Sequence, residues 1–434
     1  MFVEDGRHTP DEPAIMVATL SRVSMLLIAV AILLMGHGLQ LTLLPMHAQA
    51  VGWSTYAVGV TGSLYFLGFV IGCVLVPSIV ARVGHIRTFM VMGALATIAL
   101  LLCALIVEVP AWAVFRFVTG FALSGLYMVI ESWLSEVAPA KQRGTVLAIY
   151  TMICLLAMSV GQSFLGFLSP EGLELFLIGA MLLCLAIVPI GIARMAAPRP
   201  LPSARFSPRV LLKASRVAVV VSFLSALVTG AFWTVGPLVG RAYGLDAAGV
   251  GIMMSAGILG GAFSQLPIGR LSDRYDRRAV IGAVLAFGAA ICVVGWFFAG
   301  DSALLLYAVM FMIGAATMPV YALCIGHASE NTSIPMVEVA SGILVMNSLG
   351  SIVGPMAVAA LMDTFGPASF FGYAFVGLFI AAAFTFYRLA VVERPHHTDH
   401  PIRVLPRTTQ VVAELSDEYV EAEPSAGQDR TENS

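Results

Sequence analysis

Arg116, Gly120, Ser124, Tyr127 and Glu131 follow one another at steps of four, four, three and four. The run that holds them, Arg116 to Glu136, is otherwise as apolar as a membrane span. On an α-helix these five positions share one face. With a rise of about 1.5 Å per residue, the two charges stand roughly 22 Å apart along that stripe. A charge at bilayer depth costs at least ~2.5–3.5 kcal/mol, so such groups usually face a partner or a watery cavity. The competing reading has Arg116 lying shallow and snorkelling to headgroups, with Glu131 at the opposite interface. A polar stripe inside an apolar span favours a pathway. The guanidinium stays protonated, so Arg116 offers a fixed positive charge, while Glu131 offers a group that can bind and release a proton.

The rest of the composition says what must position these groups. Hydrophobic residues make up 59% of the 434 residues and charged residues 11%, with a mean hydropathy of +0.93. Soluble domains carry about 25% charged residues, so the chain is predicted to be an all-α, polytopic membrane protein. Apolar runs of about 20 residues predict twelve spans. The first six lie near 22–45, 55–80, 87–107, 111–134, 144–168 and 173–194. The second six lie near 217–240, 247–270, 279–300, 303–326, 339–362 and 368–389. If these alternate, all of the 23 Lys and Arg residues except Arg116 and Arg241 fall on one side. The positive-inside rule then puts both termini and the central linker in the cytoplasm.

The expected organisation is an N-terminal segment (1–21), a six-helix bundle (22–195), a basic linker (196–216), a second bundle (217–390) and a polar, disordered tail (391–434). Glu4, Asp5, Asp11 and Glu12 make the N-terminal segment wrong for a signal peptide, so the first span is expected to be retained. The six cysteines lie in apolar runs with no metal or disulfide spacing. His396, His397, Asp399 and His400 in the tail offer metal-ligating types, though a solvated tail is the favoured reading. A net charge of -2 gives no reason to expect nucleic acid.

The two halves repeat. A shift of 192 places Val58-Gly59 on Val250-Gly251, Ser63 on Ser255, Gly68 on Gly260 and Arg82 on Arg274. A shift of 194 places Gly120 on Gly314, Tyr127 on Tyr321 and Glu136 on Glu330. Parallel halves of this kind bind at their interface.

Gly269-Arg270-Leu271-Ser272-Asp273-Arg274-Tyr275-Asp276-Arg277-Arg278 ends the eighth span. It resembles the G-x-L-[AS]-D-R-x-G-[RK]-[RK] loop of the major facilitator superfamily. An acid and several Arg in a short loop can cap a helix and pair with charges across a seam. The first-half copy, from Pro77 to Ile86, keeps Arg82 and Gly84 but has Ala81 in place of the acid. Arg116-x-x-x-Gly120 resembles a second superfamily signature, linked in the family to proton coupling. The antiporter Gly-Pro element of span five is incomplete here, with Gln162 after Gly161; Gly354-Pro355 is its counterpart in span eleven. The stretches Gly36 to Pro45 and Tyr127 to Glu136 look like the YcaD-like branch of that superfamily.

The resemblance implies the family's fold: twelve transmembrane helices in two pseudo-symmetric six-helix bundles, rocking around a central site. It implies that Gly269, Asp273, Arg274, Arg277 and Arg278, with Arg82 and Gly84 in the weaker copy, form a cytoplasmic gate. By that analogy Asp273 would lie near Lys141 to Gly144. In the family, spans one, four, seven and ten line the cavity. His37, Gln40, Arg116, Gln162 and Trp233 then come to a similar depth, and Tyr127 and Tyr321 are expected to face each other across the pore. His37 titrates near neutral pH if hydrated, and a helix–helix hydrogen bond is the equal alternative. Asn347 and Gln265 are expected to stitch helices together.

The function expected is secondary active transport of a small solute, with protons as coupling ion and a slight preference for an anionic or zwitterionic substrate. The alternative is a non-transporting membrane sensor or scaffold on the same fold. No HExxH, Ser/His/Asp arrangement or phosphate-binding Gly loop points to an enzyme. No cofactor is expected, membrane lipid is the surroundings, and a monomer is expected.

Overall fold

Backbone amides within a bilayer find partners only inside a helix or a closed barrel, and in this computed structural model every apolar run becomes a helix. The structure describes residues 12–137, 143–192, 215–330 and 336–391. The expected linker (196–216) and tail (391–434), including the His396 to His400 cluster, lie almost wholly outside them. Twelve helices are long and apolar enough to cross a membrane. The first six are Ser24–Ala50, Thr55–Val83, His85–Leu105, Val109–Leu134, Ile149–Gly166 and Glu174–Ile192. The second six are Arg216–Ala242, Ala247–Arg274, Arg277–Phe298, Ala303–Ser329, Val339–Phe365 and Ser369–Val391. They are called spans one to twelve below.

The spans form two bundles of six, and the repeat seen in the sequence reappears as repeated contacts. In the first bundle, Gly68 of span two lies against the Phe117 carbonyl of span four, and Gly120 of span four against the Tyr65 carbonyl of span two. In the second, Gly260 lies against the Phe311 carbonyl and Gly314 against the Gly257 carbonyl. Spans one and five touch where Gly161 meets the Met35 carbonyl; spans seven and eleven repeat this where Gly354 meets the Leu227 carbonyl. A methyl group at any of these positions would collide with backbone, so the small residues set how closely the helices approach.

Two spans are interrupted. Span ten runs as Ala303–Thr317 and then Val320–Ser329. Pro319 lacks the N–H that would continue the first piece, and its ring crowds the preceding turn. Span six breaks between Leu185 and Ile187.

The bundles meet at the end away from the basic residues. Asp363, near the end of span eleven, accepts from the Thr55 and Tyr56 amides of span two at 3.0 and 2.9 Å. Gly59 packs on Pro355 and Ala359 nearby. Ser255 of span eight donates to the Ser159 carbonyl of span five at 3.4 Å, and Gly251 sits against the Gln162 carbonyl. Spans two, five, eight and eleven thus form a seal at the end opposite the basic one.

Candidate functional site

On the basic side of that seal, the two bundles enclose a cavity of about 190 Å³. Spans one, two, four, five, seven, eight, ten and eleven contribute to its wall. The break in span ten lies at the wall, which Thr317, Met318 and Tyr321 all reach. Unwound backbone at membrane depth is tolerated where it lines such a space.

Four of the residues expected on the substrate or proton pathway lie on this wall: His37, Tyr127, Trp233 and Tyr321. Tyr127 and Tyr321, equivalent in the repeat, line one cavity from opposite bundles. Arg116, Gln40, Gln162 and Glu131 are buried but off the wall. The reason is the direction of the span-four stripe. Gly120 faces the Tyr65 carbonyl and Ser124 faces Gly72, so most of the stripe is pressed against span two. Among its members only Tyr127 reaches the cavity.

Arg116 is 6% exposed and carries its Cζ 4.5 Å from the centre of the Tyr65 ring. Its Nη1 has no hydrogen-bond partner among the described residues. Attraction to the ring face offsets part of the cost of burying the charge. The Tyr65 hydroxyl lies 3.4 Å from His37 Nε2, a long contact for a hydrogen bond, and the two rings stack at 6.0 Å. Because Tyr65 and His37 both line the cavity, Arg116 meets it through these two rings and not directly.

Beside this trio, Gln162 Oε1 is buried with no hydrogen-bond partner among the described residues. Gln162 Nε2 donates to the Gly38 carbonyl at 2.9 Å, tying span five to span one where span eleven has Pro355. Unpaired buried polar atoms are those an internal water or a solute group would satisfy.

Glu131 is fully buried in the basic-end part of span four, and Tyr150 of span five donates to its Oε1 at 3.3 Å. Tyr127, which lines the cavity, lies one turn away on the same helix.

At the basic end, Arg277 ties three spans together. Its Nη2 reaches Glu330 Oε1 at 2.9 Å and Asp273 Oδ1 at 3.4 Å. Its guanidinium packs on Gly326, where a side chain would displace it. Asp276 caps span nine: it accepts from the Arg278 backbone at 2.9 Å and pairs with the Arg278 side chain at 2.9 Å. Burial pushes the Asp276 carboxyl up, but those Arg278 hydrogen bonds and charge outweigh it and hold it below the usual carboxylate value. Arg274 closes span eight, and Gly269 is buried within it. In the first-half copy Gly84 makes the turn with a φ of +84°, the left-handed backbone that favours glycine, while Arg82 is exposed. Of the stretch Lys141 to Gly144, expected to meet Asp273, Lys141 and Gln142 lie outside the described residues, and Arg143 opens the helix that carries span five.

Tyr65, Tyr150 and Asp363 had not stood out in the sequence. Tyr65 and Tyr150 are lone aromatics in apolar runs, and Asp363 looks like an ordinary charge at a span end. Asn347 and Gln265, expected only to stitch helices, both line the cavity, and Asn347 Nδ2 also lies 3.4 Å from the Ser222 carbonyl.

Comparison with known proteins agrees with this architecture. The family model described as Major Facilitator Superfamily matches residues 26–219 and again 218–416. The MFS-type transporter YcaD of Escherichia coli O6:K15:H31 (strain 536 / UPEC) is 26% identical over 368 residues, covering 83% of this chain and 92% of that one. A mutant of the nucleoside transporter NupG superposes with a TM-score of 0.71 at 16% identity, covering 85% of this chain and 99% of that one. A bacterial homologue of the human lysosomal transporter Spinster, inward-facing and occupied, gives 0.66 at 16% identity, covering 87% and 99%. With two matched halves, twelve spans and a cavity between the bundles, the chain belongs to the Major Facilitator Superfamily and is a multi-pass membrane transporter.

Proposed function

We propose that this chain is a secondary active transporter that moves a small solute by alternating access, with both termini in the cytoplasm and protons as the coupling ion. The observation that carries the reading is a cavity walled by both bundles, sealed at one end by contacts between spans two and eleven and between spans five and eight. A site built on a seam opens to alternate sides when the seam rocks. The near-exclusive placement of Lys and Arg at the other end supports a cytoplasmic basic face.

Glu131 is the coupling group in this scheme, since Arg116 holds its proton throughout. Its burial and its contact with Tyr150 support a carboxyl that exchanges a proton with the basic side while the cavity is open there. At the basic end, pairing of Arg277 with Asp273 and Glu330 inside one bundle supports a gate whose charges regroup during the cycle.

The test uses the seal. In a background without the six native cysteines, Ser159→Cys and Ser255→Cys are introduced together and the protein is reconstituted in proteoliposomes. Flux of a solute found by ligand-induced thermal shift should stop on oxidation and return on reduction. It should also respond to an imposed pH gradient, and Glu131→Gln should remove that response. Flux that continues through the locked protein would rule out alternating access.

A further inference from the structure

The cavity wall restricts what it can hold. Among the described residues it carries no Asp, Glu, Lys or Arg side chain. The two ionisable side chains of the span-four stripe, Arg116 and Glu131, are both buried off the wall, and Arg116 is engaged with the Tyr65 ring. An ionic solute would give up its hydration on entering and find no opposite charge to compensate. A neutral solute loses far less, and its hydroxyl or amide groups are repaired by neutral hydrogen bonds.

The wall also has two unlike faces. The first bundle presents mainly rings and apolar groups, among them Tyr65, Phe66, Phe69, Tyr127, Leu155 and Met158, with His37 and Thr151 as its hydrogen-bonding exceptions. The second presents Ser225, Thr229, Gln265, Thr317 and Asn347, five short neutral hydrogen-bonding side chains from four spans, with Trp233 and Tyr321 beside them. Sites for small solutes commonly combine apolar walls with a few fixed polar contacts. Here the division follows the boundary between the bundles.

We infer that the solute is uncharged and two-faced, with a ring or flat apolar side against spans two and four and hydroxyl or amide groups toward spans seven, eight, ten and eleven. This rests on the transport reading of the cavity, and it departs from the slight preference for an anionic or zwitterionic substrate expected from the sequence. It also gives the seam a role: each bundle recognises one side of the solute, so a solute with both sides draws the bundles together.

Binding to the purified full-length chain in detergent tests this with two matched sets of probes. One set is a 4-nitrophenyl hexoside, the corresponding hexuronide and the corresponding aminohexoside. The other is N-acetyltyrosinamide, N-acetyltyrosine and tyrosinamide. In at least one set the uncharged member should bind about tenfold or more tightly than both charged members, a difference of ~1.4 kcal/mol. Tighter binding of a carboxylate or ammonium member, or no binding by either uncharged member, would overturn the inference. Asn347→Asp should move preference toward the ammonium member by a similar factor; an unchanged order would take this wall away from the solute. Flux in proteoliposomes separates the two readings. An uncharged probe that binds without being moved leaves the solute class standing and removes transport. Movement of charged probes alone keeps transport and removes the solute class.

Discussion

Tyr65 holds a buried guanidinium with no ion pair among the described residues, which makes Arg116 dependent on a single ring. A buried charge stripped of its partner destabilises strongly, whereas removing the charge together with its partner is often nearly neutral. A desolvated cation–π contact contributes about 2 kcal/mol. Tyr65→Leu should therefore lower unfolding stability in detergent by roughly that amount, and Arg116→Met by less. The double variant should recover part of the loss, with a coupling of about 1–2 kcal/mol. Strict additivity would mean that Arg116 is held by something other than this ring. The stripe of Arg116, Gly120, Ser124, Tyr127 and Glu131 was legible in the sequence because its period is the helix period. What the stripe faces was not legible. Periodicity defines a face but not the neighbour it meets, and the neighbour is mostly span two.

At the scale of elements, the pairs formed by spans two and four and by spans eight and ten are built alike. Gly120 and Gly314 each lie directly on a carbonyl of the partner helix. Gly191, by contrast, is exposed near the end of span six, and among the described residues nothing lies where a methyl group would meet it. Overpacking costs about 1–3 kcal/mol, and backbone relaxes less readily than a side chain. Gly120→Ala and Gly314→Ala should both lower the unfolding temperature, by similar amounts. Gly191→Ala should be neutral or slightly stabilising, because alanine favours helix by about 1 kcal/mol over glycine. A neutral Gly120→Ala would show that spans two and four can separate without cost. The twelve spans, the charge sides and the glycine register were all readable in one dimension, as apolar length, loop composition and repeat spacing. The cavity wall was readable only in part. Asn347, Gln265 and Tyr65 become lining residues through the angles at which helices cross, and spacing along one helix does not record those angles.

The whole molecule turns on the seal opposite the basic end, and Asp363 is its most directed contact. Its two carboxylate oxygens take the first amides of span two, one each, so a residue of one bundle caps a helix of the other. Helix N-termini carry partial positive charge and unpaired N–H groups, and a carboxylate there satisfies both. Loss of such a cap costs about 1 kcal/mol. Under the proposed alternating access the cap forms only while the bundles are closed at this end, so its loss should change the balance of states more than the stability of either bundle. About 1 kcal/mol corresponds to roughly a fivefold change in the ratio of the two states. In a background without the six native cysteines, one of which, Cys154, lines the same cavity, a single cysteine introduced as Thr229→Cys on the wall reports that ratio through its reaction with a membrane-impermeant thiol reagent added at the sealed side. Asp363→Ala should raise the rate by about that factor while leaving the unfolding temperature nearly unchanged. Asp363→Glu should restore much of the closed population, since a longer carboxylate still reaches exposed amides. An unchanged rate in the alanine variant, alongside an intact fold, would place the closing energy in the Gly59 and Gly251 packing instead of in this cap.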